Sequence, residues 1–402
     1  MARPVPAAAA KEIVVVRAAA EAVRRGHPWV WREAIARGRG GGDALVTGSE
    51  VQVIGEDGSD VGRGVADASS PIALRMWTAG RAPIDASLVA GRIASALALR
   101  ARLFADGRTN AYRVLHGEGD RLPGYVVDRY GPVAVLRVDG DGALARMDAF
   151  VPPLWDALKA AGVCTLVHRS SVKGAATPER ATLRGEPAPD ALDVREHGMP
   201  FVVDLARGQK TGAFLDQREN RRRVGELARD RRVLNLFSYA GGFSVAAALG
   251  GARHVTSVDV AANAHATAQA SFRLAGIDPK QHAFAAADAF AFLERAKREG
   301  QRWDLVVSDP PSFAPSEKAR ARALAAYRTL HRACVDVLAP GGIFCAASCS
   351  SHVDATAFVA TLDDAALGTD RLRLLELFGP PPDHPTIAGW PEGRYLKFAV
   401  LA

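Results

Sequence analysis

Cysteine is scarce in this chain. Only Cys164, Cys334, Cys345 and Cys349 occur in 402 residues, and no two of them form a C-x-x-C pair. That excludes a disulfide framework and a zinc knuckle, which need thiols at short repeated spacings, so no metal is expected and a reducing compartment fits. Long apolar runs are also missing: no stretch of roughly 18 apolar residues occurs, so nothing is built to span a membrane. The opening MARPVPAAAAKEIVVV has an alanine run, but Lys11 and Glu12 interrupt it before a signal-peptide core forms, and a cytoplasmic location is expected. The dinucleotide fingerprint G-x-G-x-x-G does not follow the first strand of the C-terminal half, which disfavours an NAD-dependent dehydrogenase.

What is present reads as a globular protein: 48% hydrophobic and 24% charged residues over a length that implies two or three domains. The net charge of +7 points to a polyanionic partner, because lysines and arginines that neutralise phosphates release condensed counterions. A solvated basic surface is the plain alternative.

Three regions differ in pattern. Residues 11–85 mix short alternations such as EVQVIG with turn signals at Gly55, Asp57, Gly58, Gly62 and Gly64, a small β-rich module. Residues 1–40 hold eight Lys or Arg against three Glu and include HPWVW, with Trp29 and Trp31, a plausible RNA platform in which His27 packs on Trp29. Ser87–Phe104 has helical spacing and opens a small α/β domain over 86–204, whose helix centres on MDAFVPPLWDALKAAG. From 205 to 402, strand runs RRVLNLF, HVTSVDV, AFAAAD, WDLVVSD and GIFCAAS alternate with helical patterns, which predicts a doubly wound parallel sheet. LRLLELFG and YLKFAVLA then close it as an antiparallel hairpin.

Candidate chemistry gathers at the strand ends of this last region. Gly241 and Gly242 in NLFSYAGGFSV allow a sharp turn and close approach of a cofactor to backbone. Asp259, Asp288 and Asp309 each close a strand run, where open α/β sheets bind ligands. Asp259 suits ribose hydroxyls and Asp288 an adenine amine, with helix N-capping as the structural alternative. In DPPSF the prolines hold Asp309 and Phe313 at the sheet edge, where a planar base is gripped. Cys349 in AASCSSH ends the fifth strand run and is the candidate nucleophile, whereas Cys345, Cys334 and Cys164 read as core. Carbon 5 of a pyrimidine becomes nucleophilic once a thiolate adds to carbon 6. In that chemistry Cys349 attacks, Asp309 stabilises the cytosine ring nitrogen and amine, and carbon 5 accepts a methyl group from a sulfonium. His352 orients a phosphate or caps a helix. The arginines of RENRRR, Arg218–Arg223, touch RNA phosphates or form a solvated face.

The strings RRGHPWVW, GEGDRLPGYVVDRYG, GQKTGAFLDQRENR, NLFSYAGGFSV, VTSVDV, DPPSF, SCSSH and DHPTIAGWPEGRYLK, in this order over nearly the whole chain, resemble the RlmI-type 23S ribosomal RNA cytosine-5 methyltransferases. The resemblance implies an N-terminal PUA-like barrel over 11–85, a small α/β domain, and a Rossmann-like class I methyltransferase sheet over 205–402. It implies S-adenosylmethionine as cofactor and large-subunit ribosomal RNA as partner. Cofactor contacts are implied from the stretch Lys210 to Arg218, with Lys210, Asp216 and Arg218 foremost, from Asn235, Phe237, Ser238, Tyr239 and Gly241 in the glycine turn, and from Asp259, Asp288 and Asp309. Cys349 is implied to be the catalytic thiol. The chain departs from the family at Ser271 and Ala275, where asparagines are common, so helix packing there differs. Ser312 follows Pro311 where many RNA cytosine methyltransferases carry a cysteine, so no second thiol assists product release. A methyltransferase acting on a base nitrogen and a non-enzymatic ribosome-assembly factor remain alternatives. A homodimer is compatible with the sequence, which carries no signature for or against one.

Overall fold

A computed structural model describes residues 10–36, 45–170, 179–314, 316–370 and 372–402. The alanine run at the start and the end of the basic N-terminal stretch lie outside the described residues. The chain divides into two compact units, one of Met1–Leu103, Arg113–Ala188 and Pro385–Pro391, the other of Phe104–Tyr112, Pro189–His384 and Glu392–Ala402.

In the first unit, β1 (Lys11–Val15), α1 (Arg17–Arg24), β2 (Trp29–Trp31), β3 (Glu50–Gly55), β4 (Asp60–Ala66) and β5 (Ile72–Ala79) build a five-stranded sheet of order β1-β3-β4-β5-β2. Its core is Ile13, Val15, Val30, Val51, Val53, Val61 and Leu74. Trp29 is held edge-on by His27, Trp31 and Trp390 and donates its indole N–H to Glu118 at 2.8 Å. It is therefore a packing residue, and Trp31 is the more exposed of the pair.

The helix α2 (Ala86–Leu103) leads to a second sheet of β6 (Ala111–His116), β7 (Tyr125–Tyr130), β8 (Val133–Val138), β9 (Thr165–Ser170) and β10 (Glu179–Gly185), in the order β10-β9-β8-β7-β6. Between β8 and β9 come α3 (Asp141–Leu144) and α4 (Met147–Ala160), the crossover that a parallel pair requires. Cys164 lies just before β9 and is exposed, not core, because it precedes the strand and does not belong to it.

These two sheets, expected as separate domains, fall in one unit, and polar contacts join them. Arg75 pairs with Asp139 at 2.7 Å and also with Glu118, and the Gly142 N–H donates to Asp67 at 3.1 Å.

The expected boundary at 204/205 moves to 188/189. The hairpin of β11 (Ala191–Glu196) and β12 (Met199–Asp204) belongs to the second unit, where the Val202 N–H donates to Ser271 at 3.0 Å and Glu196 pairs with Arg221 at 2.6 Å. Ser271, one of the departures from the family pattern, thus has a packing role of its own.

The second unit continues through α5 (Arg218–Leu227), β13 (Arg232–Leu236), α6 (Gly242–Leu249), β14 (His254–Asp259), α7 (Ala262–Leu274), β15 (Ala283–Ala286), α8 (Ala289–Arg298), β16 (Trp303–Ser308), α9 (Arg320–Asp336) and β17 (Leu338–Ser348). It ends with α10 (Ala355–Val359), α11 (Asp364–Leu367), β18 (Leu374–Phe378) and β19 (Lys397–Leu401). The seven strands run β15-β14-β13-β16-β17-β19-β18. The first five are parallel, and β19 is antiparallel to both neighbours, the closing hairpin expected from the sequence. The strand runs are continuously apolar because both faces are covered. Leu234, Leu236, Val306 and Phe344 enter one core, and Val233, Leu305, Val307, Ile343 and Cys345 the other. No described helix is long and apolar enough to cross a membrane.

Much of the RENRRR run faces inward, with Arg222 left exposed on the helix surface. Arg218 is buried and bidentate to Asp383 at 2.9 and 2.8 Å, and Arg221 is bidentate to Glu196 at 2.9 and 2.6 Å. Arg223 pairs with Glu376 at 2.8 Å. Removing one partner of a buried pair strands the other charge. Arg221→Met is therefore expected to cost about 3–5 kcal/mol in urea unfolding. Arg221→Met with Glu196→Leu should cost markedly less than the single change; an equal or larger loss would mean that the pair itself is not the source.

Candidate active site

The parallel strands converge their carboxyl ends on one cavity of about 260 Å³, contained within the second unit. Its walls include Lys210, Asp216, Phe237, Ser238, Tyr239, Asp259, Asp309 and Cys349. Asp309 and Cys349 follow adjacent strands, since β16 and β17 pair with Ser308 opposite Ala346.

The turn after β13 is conformationally demanding. Phe237 and Tyr239 take φ of 56° and 45°, and Lys210 across the cavity 54°, left-handed values that favour glycine. Gly241 follows at φ 77° as the N-cap of α6, where a Cβ would stand 2.6 Å from the Ala268 Cβ. Asp259 holds this turn, accepting from the Tyr239 and Ala261 N–H groups at 2.8 Å each. Each carboxylate oxygen keeps a second lone pair, so a hydroxyl in the cavity can still donate to it. The Ser238 hydroxyl and the Asn235 Oδ1 are buried with no hydrogen-bond partner among the described residues. Unmet polar groups beside a glycine turn suit an adenosyl ligand with its hydroxyls and amines.

Opposite the turn, Asp216 accepts from Lys210 Nζ at 3.1 Å and from the Tyr395 hydroxyl at 2.7 Å. Lys210 Nζ also lies 4.3 Å from the centre of the Phe214 ring. Burial, and next the Asp216 carboxylate, push Asp309 up to about 7, against the opposing pull of Lys210, Arg221 and a hydrogen bond from Gln217. Burial, then Asp309, push the Cys349 thiol up to about 11, with Lys210 and Lys397 acting in the opposite sense. Cys334 and Cys345 are fully buried and raised to about 12 by desolvation, as core thiols are.

Four expected cofactor residues do not wall the cavity. Arg218 is committed to Asp383, and Asn235 is buried behind the turn with its Nδ2 donating to Ser244 at 2.9 Å. Gly241 acts through backbone shape. Asp288 is exposed and caps α8, accepting from the Ala291 N–H at 3.0 Å, so the capping alternative holds for it. Phe313 does not line the cavity either: its ring packs on Tyr327 at 4.9 Å, leaving Pro310 and Pro311 at the wall. His352 pairs with Glu317 at 3.4 Å, and the α10 cap is Asp354.

Phe214 and Gln217, within the implied Lys210 to Arg218 stretch, also line the cavity, whereas sequence reasoning missed Arg221 and Tyr395 as site residues. Arg221 lies in GQKTGAFLDQRENR and Tyr395 in DHPTIAGWPEGRYLK, so those strings were the available signal, although no spacing links Tyr395 to Asp216, 179 residues away. Among the described residues no group of three His, Cys, Asp or Glu is placed to hold a metal.

Comparison with known proteins follows this geometry. A family model for S-adenosylmethionine-dependent methyltransferases matches residues 147–397, and one for a PUA-like domain matches 13–79. Ribosomal RNA large subunit methyltransferase I of Klebsiella pneumoniae (strain 342) is 34% identical over 391 residues, covering 96% of each chain. The protein of that name from Alteromonas mediterranea is 35% identical over 386 residues, covering 94% of this chain and 96% of its own. Two solved structures, a methyltransferase complexed with SAH and a SAM-dependent methyltransferase from Streptococcus mutans, each align with a TM-score of 0.85 at 24% identity. Each covers 97% of this chain and 99% of its own, a likeness of fold. By the family model, the relatives along its length and the fold, this chain belongs to the S-adenosylmethionine-dependent methyltransferases, within the family of ribosomal RNA large subunit methyltransferase I.

Proposed function

We propose that this chain methylates carbon 5 of a cytosine in large-subunit ribosomal RNA through a covalent adduct on Cys349. The observation that carries the reading is the meeting of Cys349 and Asp309 in the wall of the strand-end cavity. The relatives' names support the RNA, and the PUA-like match and net charge of +7 agree with a polyanion.

S-adenosylmethionine, when bound, supplies an electrophilic methyl group on a sulfonium. Asp259 would accept from its ribose hydroxyls. Lys210, Asp216 and the turn of Phe237, Ser238 and Tyr239 would hold the rest, with Gly241 shaping the approach. The target base must be unpaired or flipped to enter. Cys349 first loses its thiol proton and its sulfur then bonds to carbon 6. The carbon 5–carbon 6 electron pair is displaced into the ring, where protonated Asp309 hydrogen-bonds to the ring nitrogen and stabilises the charge. Carbon 5 then takes the methyl group as the methyl–sulfur bond breaks, leaving a neutral thioether. Loss of the carbon 5 proton to a base reforms the double bond and expels Cys349 as thiolate. An Asp309 carboxyl held near 7 is suited to supplying a proton to the ring nitrogen.

Cys349→Ala is expected to lower 5-methylcytidine formation by about 10³-fold or more, read by mass spectrometry of nucleosides from unmodified large-subunit RNA. Full activity in that variant, or a nitrogen-methylated base, would favour the nitrogen methyltransferase. Absence of S-adenosylmethionine binding would favour the assembly factor.

The reactive form holds Asp309 protonated and Cys349 ionised, the reverse of their ordinary order. Below about 7 that form requires the loss of one proton, so kcat/KM should rise about tenfold per pH unit. Above about 7 it differs from the prevailing form only in where one proton sits, so the profile should level. In Asp309→Asn the break near neutrality should vanish and the rise continue; an unchanged break would assign it to another group.

A further inference from the structure

Lys397 occupies a position where an apolar residue would be expected. It begins β19, pairs in register with Ser348, and is followed by Phe398, Ala399, Val400 and Leu401, all buried. Its side chain is nevertheless charged and almost fully buried, at 3% exposure. Among the described residues no carboxylate pairs with it. Its three ammonium N–H groups go instead to main-chain carbonyls: Ser350 at 2.7 Å, Val353 at 2.6 Å and Tyr395 at 2.7 Å.

We propose that Lys397 is a positioning residue for Cys349. Its ammonium clamps the turn that carries the cysteine and supplies the positive charge that favours the thiolate. The inference rests on the Cys349 reading given above.

Two observations carry it. The clamp is geometric: the Ser350 and Val353 carbonyls lie one and four residues beyond Cys349, and the third carbonyl, of Tyr395, anchors the amine to the segment that leads into β19. The same turn is braced from its other side, where the Tyr327 hydroxyl lies 2.9 Å from Ser348 Oγ and 3.0 Å from Ser350 Oγ, and Ser312 Oγ lies 3.1 Å from Ser350 Oγ. The charge is the second. The groups facing Cys349 are Asp309 and Asp216, which oppose a thiolate, and Lys210 and Lys397, which favour it. Lys210 is already paired with Asp216, which leaves Lys397 as the cation of this set without a carboxylate partner. The groups acting on Lys397 are Cys349 and Asp354. Burial lowers the amine to about 8, so near neutral pH it remains largely an ammonium ion. With all three N–H groups engaged, it does not take the thiol proton, which leaves to solvent. Carbonyl dipoles offset only part of the cost of burying a cation, and a thiolate nearby would supply the countercharge.

The test reads the thiol directly. Full-length protein is alkylated with iodoacetamide at a series of pH values below about 8, where Lys397 is still an ammonium ion, and the Cys349 peptide is followed by mass spectrometry, which separates it from the exposed Cys164. Sulfur displaces iodide, and the rate follows the thiolate fraction. Lys397→Met removes both clamp and charge. Lys397→Gln removes the charge but keeps two N–H donors for the carbonyls, and safeguards the experiment if the Met variant unfolds. Lys397→Arg keeps the charge. The two neutral variants should shift the alkylation profile upward by about one pH unit or more, a roughly tenfold slower reaction at fixed pH, while Lys397→Arg stays near wild type. An unshifted profile in a neutral variant that unfolds like wild type overturns the proposal, as does an equal shift in Lys397→Arg, which would assign the effect to packing. Because alkylation involves no methyl transfer, its outcome is independent of whether Cys349→Ala remains active.

Discussion

The Arg221 guanidinium is the contact on which the site depends. Two of its nitrogens grip Glu196 on the β11–β12 hairpin, a third donates to the Phe214 carbonyl at 2.9 Å, and its stem lies where a Cβ on Gly242 would stand 2.7 Å from the Arg221 Cδ. One side chain thereby ties together a hairpin, the loop that carries Lys210 and Asp216, and the first turn of α6. It also lines the cavity and bears on Asp309. A lysine could not replace it, because a single ammonium lacks the planar fork that meets a carboxylate and a carbonyl together.

With those segments fixed, the cavity can hold groups in states that water would not permit. A carboxyl near 7 and a thiol near 11 follow from the same desolvation, and the Asp309 charge raises the thiol further. The left-handed backbone at Lys210, Phe237 and Tyr239 costs of the order of 1–3 kcal/mol per residue. That cost is offset by the surrounding bonds: Asp259 to the Tyr239 N–H, the Tyr239 hydroxyl to the Gln209 N–H at 2.7 Å, and Lys210 to Asp216. Positional strain and charge coupling are both collected at the strand ends, where the family's chemistry takes place.

The sheet was legible because its strands are short apolar runs ended by Asp259, Asp288 and Asp309, a pattern that local sequence carries in full. The closing hairpin was legible for the same reason. The role of Asp288 was not, since one aspartate after a strand can cap a helix or face a ligand, and only the Ala291 N–H decides between them. The arginine run was misread because Arg218 and Arg221 find their partners at Asp383 and Glu196, 165 and 25 residues away. Cys164 sits in a strand-like pattern, yet the strand begins one residue later, at Thr165. The hairpin at 191–204 looked continuous with the strands before it, and only its contacts with Ser271 and Arg221 assign it to the second unit. Local pattern reveals elements; long-range pairing, which decides what a charged residue does, leaves no periodic trace.

The covalent step is tested most directly by trapping it. Large-subunit RNA containing 5-fluorocytidine at the target blocks the final elimination, because fluorine does not leave carbon 5 as a proton does. With S-adenosylmethionine present, the account predicts a denaturation-resistant protein–RNA species whose linkage maps to the Cys349 peptide. Attachment at another residue, or no attachment from enzyme that still methylates ordinary RNA, would contradict it.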